Sequence, residues 1–136
     1  MNDIYRLLEQ SHPCPAVSPY IFYSIVHALP PTQKMFVYID KDATVCGIIS
    51  IVIEQKLSHG CQCVAHITDL EIDSKNENRA IAYDLIDHAV EVARRKNCVR
   101  IVAIPKENFI PDFINNYFDP IDGFYVRRIN DKIVSR

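Results

Sequence analysis

Asp69 lies inside an apolar stretch, residues 62–72, where a carboxylate needs a reason. Strict alternation puts Ala65, Ile67, Asp69 and Glu71 on one face of such a strand, and Val64, His66, Thr68, Leu70 and Ile72 on the other. A carboxylate at that place can orient an ammonium group or accept its hydrogen bonds. The bland alternative is an edge strand with Asp69 and Glu71 in water. Downstream comes a polar loop, Asp73-Ser74-Lys75-Asn76-Glu77-Asn78, and then helical periodicity from Arg79 onward. Strand, short loop and helix start place backbone N–H groups and the positive end of a helix dipole just beyond the strand, which is chemistry suited to a phosphate. Asn76 or Asn78 caps that helix with or without a ligand.

The histidines and cysteines carry less. His66 on an apolar strand face reads as a hydrogen-bonded core residue, although its titration range suits taking a proton from an amine. His59 sits in a turn, and His88 lies four residues from Asp84 on a polar helix face. The five cysteines are Cys14, Cys46, Cys61, Cys63 and Cys98. Only Cys61 and Cys63 are close, with no second pair to complete a zinc spacing, so free thiols and no metal are expected.

These residues need a frame. Residues 3–10 read as a short helix, and Ser18-Pro19 opens a second one with a capping serine and proline at the first helical position. Residues 35–40 and 45–54 are strands joined by the turn Lys41-Asp42-Ala43-Thr44, and a turn at 58–61 leads into the strand 62–72. Ala82, Leu85, Ile86, Ala89, Val90 and Ala93 form the apolar stripe of a helix that ends at Asn97 or Cys98. Residues 99–104 are a compact apolar strand, which the right-handed crossover rule makes parallel to 62–72. A short helix at 107–118 and a last strand at 124–129 complete a mixed α/β domain over residues 1–136. Tyr20, Phe22 and Tyr23 read as core.

A chain of 136 residues, 49% hydrophobic and 24% charged, can bury a core without staples. The formal net charge of -2 argues against nucleic acid as a partner. Arg94-Arg95-Lys96 and Arg127-Arg128 are short basic spots, the first at a helix C-terminus, where cations suit the dipole. Residues 1–10 lack the apolar core of a secretory signal, and no run approaches the ~20 residues of a membrane span. A soluble, cytoplasmic chain is expected.

The element order resembles the GNAT acyltransferase superfamily: one α/β domain, a mixed and mostly antiparallel sheet flanked by helices. The motifs, from about Ser18 to Arg128, are most similar to those of glucosamine-6-phosphate N-acetyltransferases. Ser18-Pro19 resembles a Thr-Pro helix start, and Glu54-Gln55-Lys56-Leu57-Ser58-His59 a Glu-Arg-Lys-x-x-His turn. His66-Ile67-Thr68-Asp69 resembles a His-Ile/Val-Glu-Asp strand end, and Cys98-Val99-Arg100-Ile101 a Cys-Tyr-Lys-Ile strand. Lys106-Glu107-Asn108 sits where Glu-x-Asn precedes a helix, and Arg127-Arg128 where a late arginine reaches a sugar phosphate. The resemblance implies acetyl transfer from acetyl-CoA to the amine of glucosamine 6-phosphate, on the way to UDP-N-acetylglucosamine. It implies catalytic roles for Asp69 and Thr68, and sugar-phosphate contacts from Ser18, Lys56, His59, Asp69 and Arg128. Acetyl-CoA would meet Leu70, Glu71, Ile72, Asn78, Arg79, Ala80, Ile81, Ala82 and Asn108. A homodimer is implied as well, with 124–129 exchanging contacts and Tyr117, Phe118, Phe124 and Tyr125 supplying apolar surface.

The chain departs from that pattern at its cofactor loop. The family's Gln/Arg-x-x-Gly-x-Gly/Ala is here Glu77-Asn78-Arg79-Ala80-Ile81-Ala82. Glu77 brings a negative charge to an anion site, and Ala80 brings a Cβ where glycine lets the backbone approach. Thr68 replaces a glutamate, and the thiolate-protonating tyrosine aligns with Asp112 or Phe113. A non-catalytic binding protein with a decayed loop, or an acetyltransferase for another amine, are the alternatives.

Overall fold

The computed structural model describes residues 2–11, 17–74, 79–104, 118–121 and 123–129. Helix α1 (Asn2–Ser11) buries Leu7, and α2 (Pro19–His27) follows. Ser18 caps α2 as its type predicts: its hydroxyl accepts the Ile21 N–H at 3.2 Å, and Pro19 supplies the preset first φ. Strands β1 (Gln33–Ile39) and β2 (Val45–Gln55) form a hairpin. Asp40 closes it, its carboxylate accepting the N–H groups of Asp42 and Thr44 at 2.9 and 3.0 Å. A 3-10 turn (His59–Cys61), with Gly60 at φ 72°, leads to β3 (Cys63–Ile72). Helix α3 (Arg79–Arg95) then crosses to β4 (Cys98–Ala103), and β5 (Asp119–Ile121) and β6 (Phe124–Arg128) complete the sheet.

The sheet order is β1-β2-β3-β4-β6-β5, with β3 and β4 parallel and the other neighbours antiparallel, as the crossover rule requires. The stripe Ile81, Leu85, Ile86, Ala89, Val90 and Ala93 seals one sheet face over Ile49, Ile51, Ala65, Ile67 and Ile101. Asn97, at φ 61°, ends the turn after α3, a conformation asparagine tolerates better than most residues.

Four expectations change. The strand 119–121 had no signal in the sequence, being three residues long with a proline at its centre. It pairs with β6, so 124–128 is not the sheet edge. Phe118 is buried and Tyr125 packs against the core, so of the residues expected to supply a dimer surface these two are committed inward. Tyr20 and Tyr23 are 80% and 50% exposed; within that trio Phe22 alone turns inward, its ring edge-on to Tyr5. The short helix expected at 107–118 lies, except for Phe118, outside the described residues.

The fourth change bears on function. Ser50 pairs with Asp69 but Ile51 pairs with Ile67, so Thr68 is an inserted residue, a β-bulge. Counting by twos across a bulge reverses every face beyond it. Ala65 and Ile67 face α3 before the bulge; Leu70 and Ile72 face it afterwards. Asp69 and Glu71 therefore share the opposite face with Val64 and His66, and not the face of Ala65 and Ile67.

Candidate active site

The ladder between β3 and β4 ends at Ile67↔Ala103, while β3 continues to Ile72. β4 ends there, so among the described residues β3 runs on from Thr68 to Ile72 without a β4 neighbour, at the carboxyl ends of a parallel pair, the usual place for a ligand in a sheet with a crossover helix. The bulge at Thr68 lies just beyond the last β3–β4 pair. Thr68 is exposed, and its hydroxyl donates toward Asp69 Oδ2 and Ser50 O, each at 3.4 Å. Leu70 and Ile72 commit their side chains to the α3 side. Glu71 is buried, at 6% exposure, on the other face.

On that other face stands a polar cluster that the sequence did not single out as a unit. His66 Nε2 lies 2.7 Å from Glu54 Oε1, and Lys56 Nζ reaches the same oxygen at 3.2 Å. An ionised carboxylate only accepts, so Nε2 carries the proton and, in the neutral ring, Nδ1 is the acceptor. The hydrogen bond from His66, followed by that from Lys56, holds the Glu54 carboxyl below the usual carboxylate range. His66 is thus half-open rather than enclosed in core. The missed signal was the hairpin: a turn centred near Gly60 folds residue 54 back onto 64–66.

Helix α3 begins seven residues beyond Ile72, and its first turn carries no acid. Ile81 and Ala82 are buried at 3% and 9% exposure, so a ligand there would meet their backbone and not their side chains. Ala80 is exposed. Gly47 sets how closely this turn approaches β2: a Cβ there would lie 2.9 Å from Ile81 Cγ2 and 2.9 Å from Leu85 Cδ1. Its role was not visible in the sequence. The side chains of His59 and Arg79, and all of Asn78 and Asn108, lie outside the described residues.

Of the residues expected at a sugar phosphate, Lys56 is held by Glu54 and Ser18 caps its own helix. Arg128 is exposed on the His66 face, directly opposite Arg100. Arg127 turns to the α3 side and pairs with Asp87 at 3.9 Å. Burial pushes the Cys98 thiol up to about 11, and also raises Cys46, so neither is a nucleophile near neutral pH. Among the described residues no cluster of His, Cys, Asp and Glu is grouped to hold a metal, and no helix is long and apolar enough to cross a membrane.

The carboxyl ends of a parallel pair followed by a helix start are a frame that can hold an anionic ligand. Residues 1–110 match the model of the acetyltransferase (GNAT) family, and the chain belongs to that family. The glucosamine 6-phosphate N-acetyltransferase of Candida albicans is 24% identical over 80 residues, which span 59% of this chain and 54%, about half, of that enzyme. An acetyltransferase of Trypanosoma brucei has the same fold, with a TM-score of 0.74 at 19% identity, covering 89% of this chain and 87% of that one. The glucosamine-6-phosphate N-acetyltransferase of Arabidopsis thaliana gives a TM-score of 0.74 at 13% identity, covering 88% and 87%.

Proposed function

We propose that this chain is an acetyl-CoA-dependent N-acetyltransferase whose acceptor is the amine of glucosamine 6-phosphate. The observation that carries the reading is the bulge, which turns Asp69 onto the face of His66 and Glu54 just beyond the end of the β3–β4 ladder. The Candida relative's name supports the acceptor. The start of α3 fits an anionic carrier, being free of acids in its first turn and the positive end of a 17-residue helix. Acetyl-CoA supplies the activated thioester when bound.

The chain's own residues then have distinct tasks. Asp69, steadied by the Thr68 hydroxyl, orients the acceptor ammonium. His66 takes its proton at Nδ1, and Glu54 stabilises the resulting imidazolium. Backbone N–H groups on the Leu70 and Ile72 edge of β3, the edge turned away from β2, polarise the carbonyl under attack, whereas the Glu71 N–H faces β2. The C–N bond forms as the C–S bond breaks, the second amine proton passes by way of water to the departing thiolate, and no covalent enzyme intermediate is needed. The backbone of Ala80, Ile81 and Ala82 borders the pyrophosphate, with Asn78, Arg79 and Asn108 assigned there by resemblance. His59, Lys56, Ser18 and Arg128 border the sugar phosphate. A homodimer, joined through the β5–β6 hairpin with Ile121 and Phe124 exposed, completes the reading.

Calorimetric titration with acetyl-CoA, followed by thiol release with glucosamine 6-phosphate, tests it. Heat and turnover support the enzyme. Heat without turnover points to another amine, and no heat points to a binding protein whose loop has lost the carrier. A monomeric mass by light scattering at tens of micromolar would remove the dimer.

A further inference from the structure

Ser50 and Asp69 are direct partners in the antiparallel ladder of β2 and β3. Residues so paired share a sheet face, their Cβ atoms about 5 Å apart. The face is fixed independently, because Ile49 and Ile51 on either side of Ser50 pack beneath α3 and Ser50 must point the other way. On one side of the pair Ile48 and Glu71 are buried, and Arg6 of α1 reaches Asp73 just beyond them. On the other side stand Val52 and His66, and then Glu54 with its partly exposed carboxylate. Ser50 thus lies where the covered end of this face gives way to the open one. It is 7% exposed, and its carbonyl accepts the Thr68 hydroxyl at 3.4 Å. Its own hydroxyl has no hydrogen-bond partner among the described residues, yet it is not sealed off as Arg100 Nε is. A hydroxyl held without its hydrogen bonds in a nearly buried place costs stability. Its neighbours on this face, Ile48 and Val52 along β2 and Met35 across in β1, are apolar, so packing does not call for a hydroxyl here.

We propose that Ser50 is an acceptor-binding residue whose hydroxyl holds a hydroxyl group on the carbon next to the acceptor amine, while Asp69 holds the ammonium. The statement rests on the function proposed above and adds the feature of the acceptor that is read beside the amine. An ionised carboxylate only accepts, which suits an ammonium; a serine hydroxyl both donates and accepts, which suits an alcohol. Side by side across one rung of the ladder, the two groups match an amine and a hydroxyl on adjacent carbons. An isolated amine at the end of an alkyl chain would satisfy Asp69 and leave Ser50 unbonded. An amino sugar whose amine is flanked by ring hydroxyls satisfies both. In the sequence Ser50 is a lone small residue in an apolar run, and only the register of β2 against β3 brings it to Asp69.

The test compares three acceptors: glucosamine 6-phosphate and its 1-deoxy and 3-deoxy analogues, each lacking one hydroxyl beside the amine-bearing carbon. Each is assayed with the wild type, Ser50→Ala and Ser50→Cys. With glucosamine 6-phosphate both variants should lose roughly 3- to 10-fold in kcat/KM, mostly through KM, since the contact exists before and during attack. One of the two analogues should be poorer for the wild type by a similar factor, and no poorer still for the variants. A merely structural serine would not produce that coupling between a protein hydroxyl and a substrate hydroxyl. Without acceptor, Ser50→Ala should be at least as stable as the wild type, because an unbonded hydroxyl is gone, and Ser50→Cys keeps the size of the side chain. Equal kcat/KM for wild type and variants, or the same loss on all three acceptors, overturns the role of Ser50 and leaves the acetyltransferase reading intact. Absence of turnover of glucosamine 6-phosphate by the wild type removes the acceptor reading, and this inference with it.

Discussion

Asp69 and His66 share a sheet face although they stand three positions apart, because Thr68 between them is a bulge. In a regular strand an odd offset would put them on opposite sides. Thr68 also donates toward Asp69 Oδ2 at 3.4 Å. Thr68→Val keeps the β-branched shape and removes the hydroxyl. The hydroxyl's bonds to Asp69 and Ser50 are both long, so the stability change should be under about 1 kcal/mol. If the hydroxyl holds Asp69 for the acceptor, kcat/KM should fall about 3- to 10-fold with Tm nearly unchanged. A full wild-type rate in Thr68→Val would remove that role.

The Glu54 carboxyl is held below the usual range, first by His66 and then by Lys56. A group with a depressed native pKa stabilises the fold above its unfolded value, about 4.3 for glutamate, and that contribution is lost as pH falls through the lower native value. Glu54→Gln should therefore be less stable than wild type at neutral pH, and the difference should close as the pH falls through the lowered native value. Thermal unfolding across that range reads it. A difference independent of pH would mean that packing, and not charge, is at stake. The same variant should also lower the rate, because the imidazolium formed at His66 loses its carboxylate.

Gly47 lets the first turn of α3 settle onto β2. In Gly47→Ala the new methyl meets Ile81 Cγ2 and Leu85 Cδ1 at 2.9 Å, and Ile81, being β-branched, yields little. The cost should be about 1–3 kcal/mol. Lifting the helix start also moves the amides proposed to border the pyrophosphate, so acetyl-CoA should bind more weakly. Adding Leu85→Ala should recover part of the loss in a double-mutant cycle. Additive effects of the two changes would show that the close approach at Gly47 is not what positions α3.

How much of this was legible in the sequence depends on which interactions are local. The Ser18-Pro19 cap, the turn at 41–44 and the α3 stripe are set within a few residues, and each appears as read. The parallel pairing of β3 and β4 followed from the crossover rule. The bulge did not, because it depends on how β2 pairs with β3, and period two alone carries no trace of it. Arg100 and Arg128 were hidden for the same reason: their meeting is a matter of register between strands separated by a long stretch of chain. Tyr20 and Tyr23 misled in the other direction, since aromatic residues at helical spacing imply burial only where a partner surface exists.

The last prediction concerns the head of α3. Glu77 precedes the helix, where an acid favours the dipole but opposes an anionic carrier, and Ala80 is exposed in its first turn. Glu77→Gln with Ala80→Gly should therefore act in two directions at once. The fold should lose up to about 1 kcal/mol, since glycine is the poorer helix former and a favourable charge is gone. Acetyl-CoA should bind severalfold more tightly, from about 0.5–1 kcal/mol for the screened charge and easier backbone approach at position 80. Tm and calorimetric affinity measured on the same variant separate the two effects. A lower Tm with unchanged affinity would mean that the pyrophosphate is not held at this helix start.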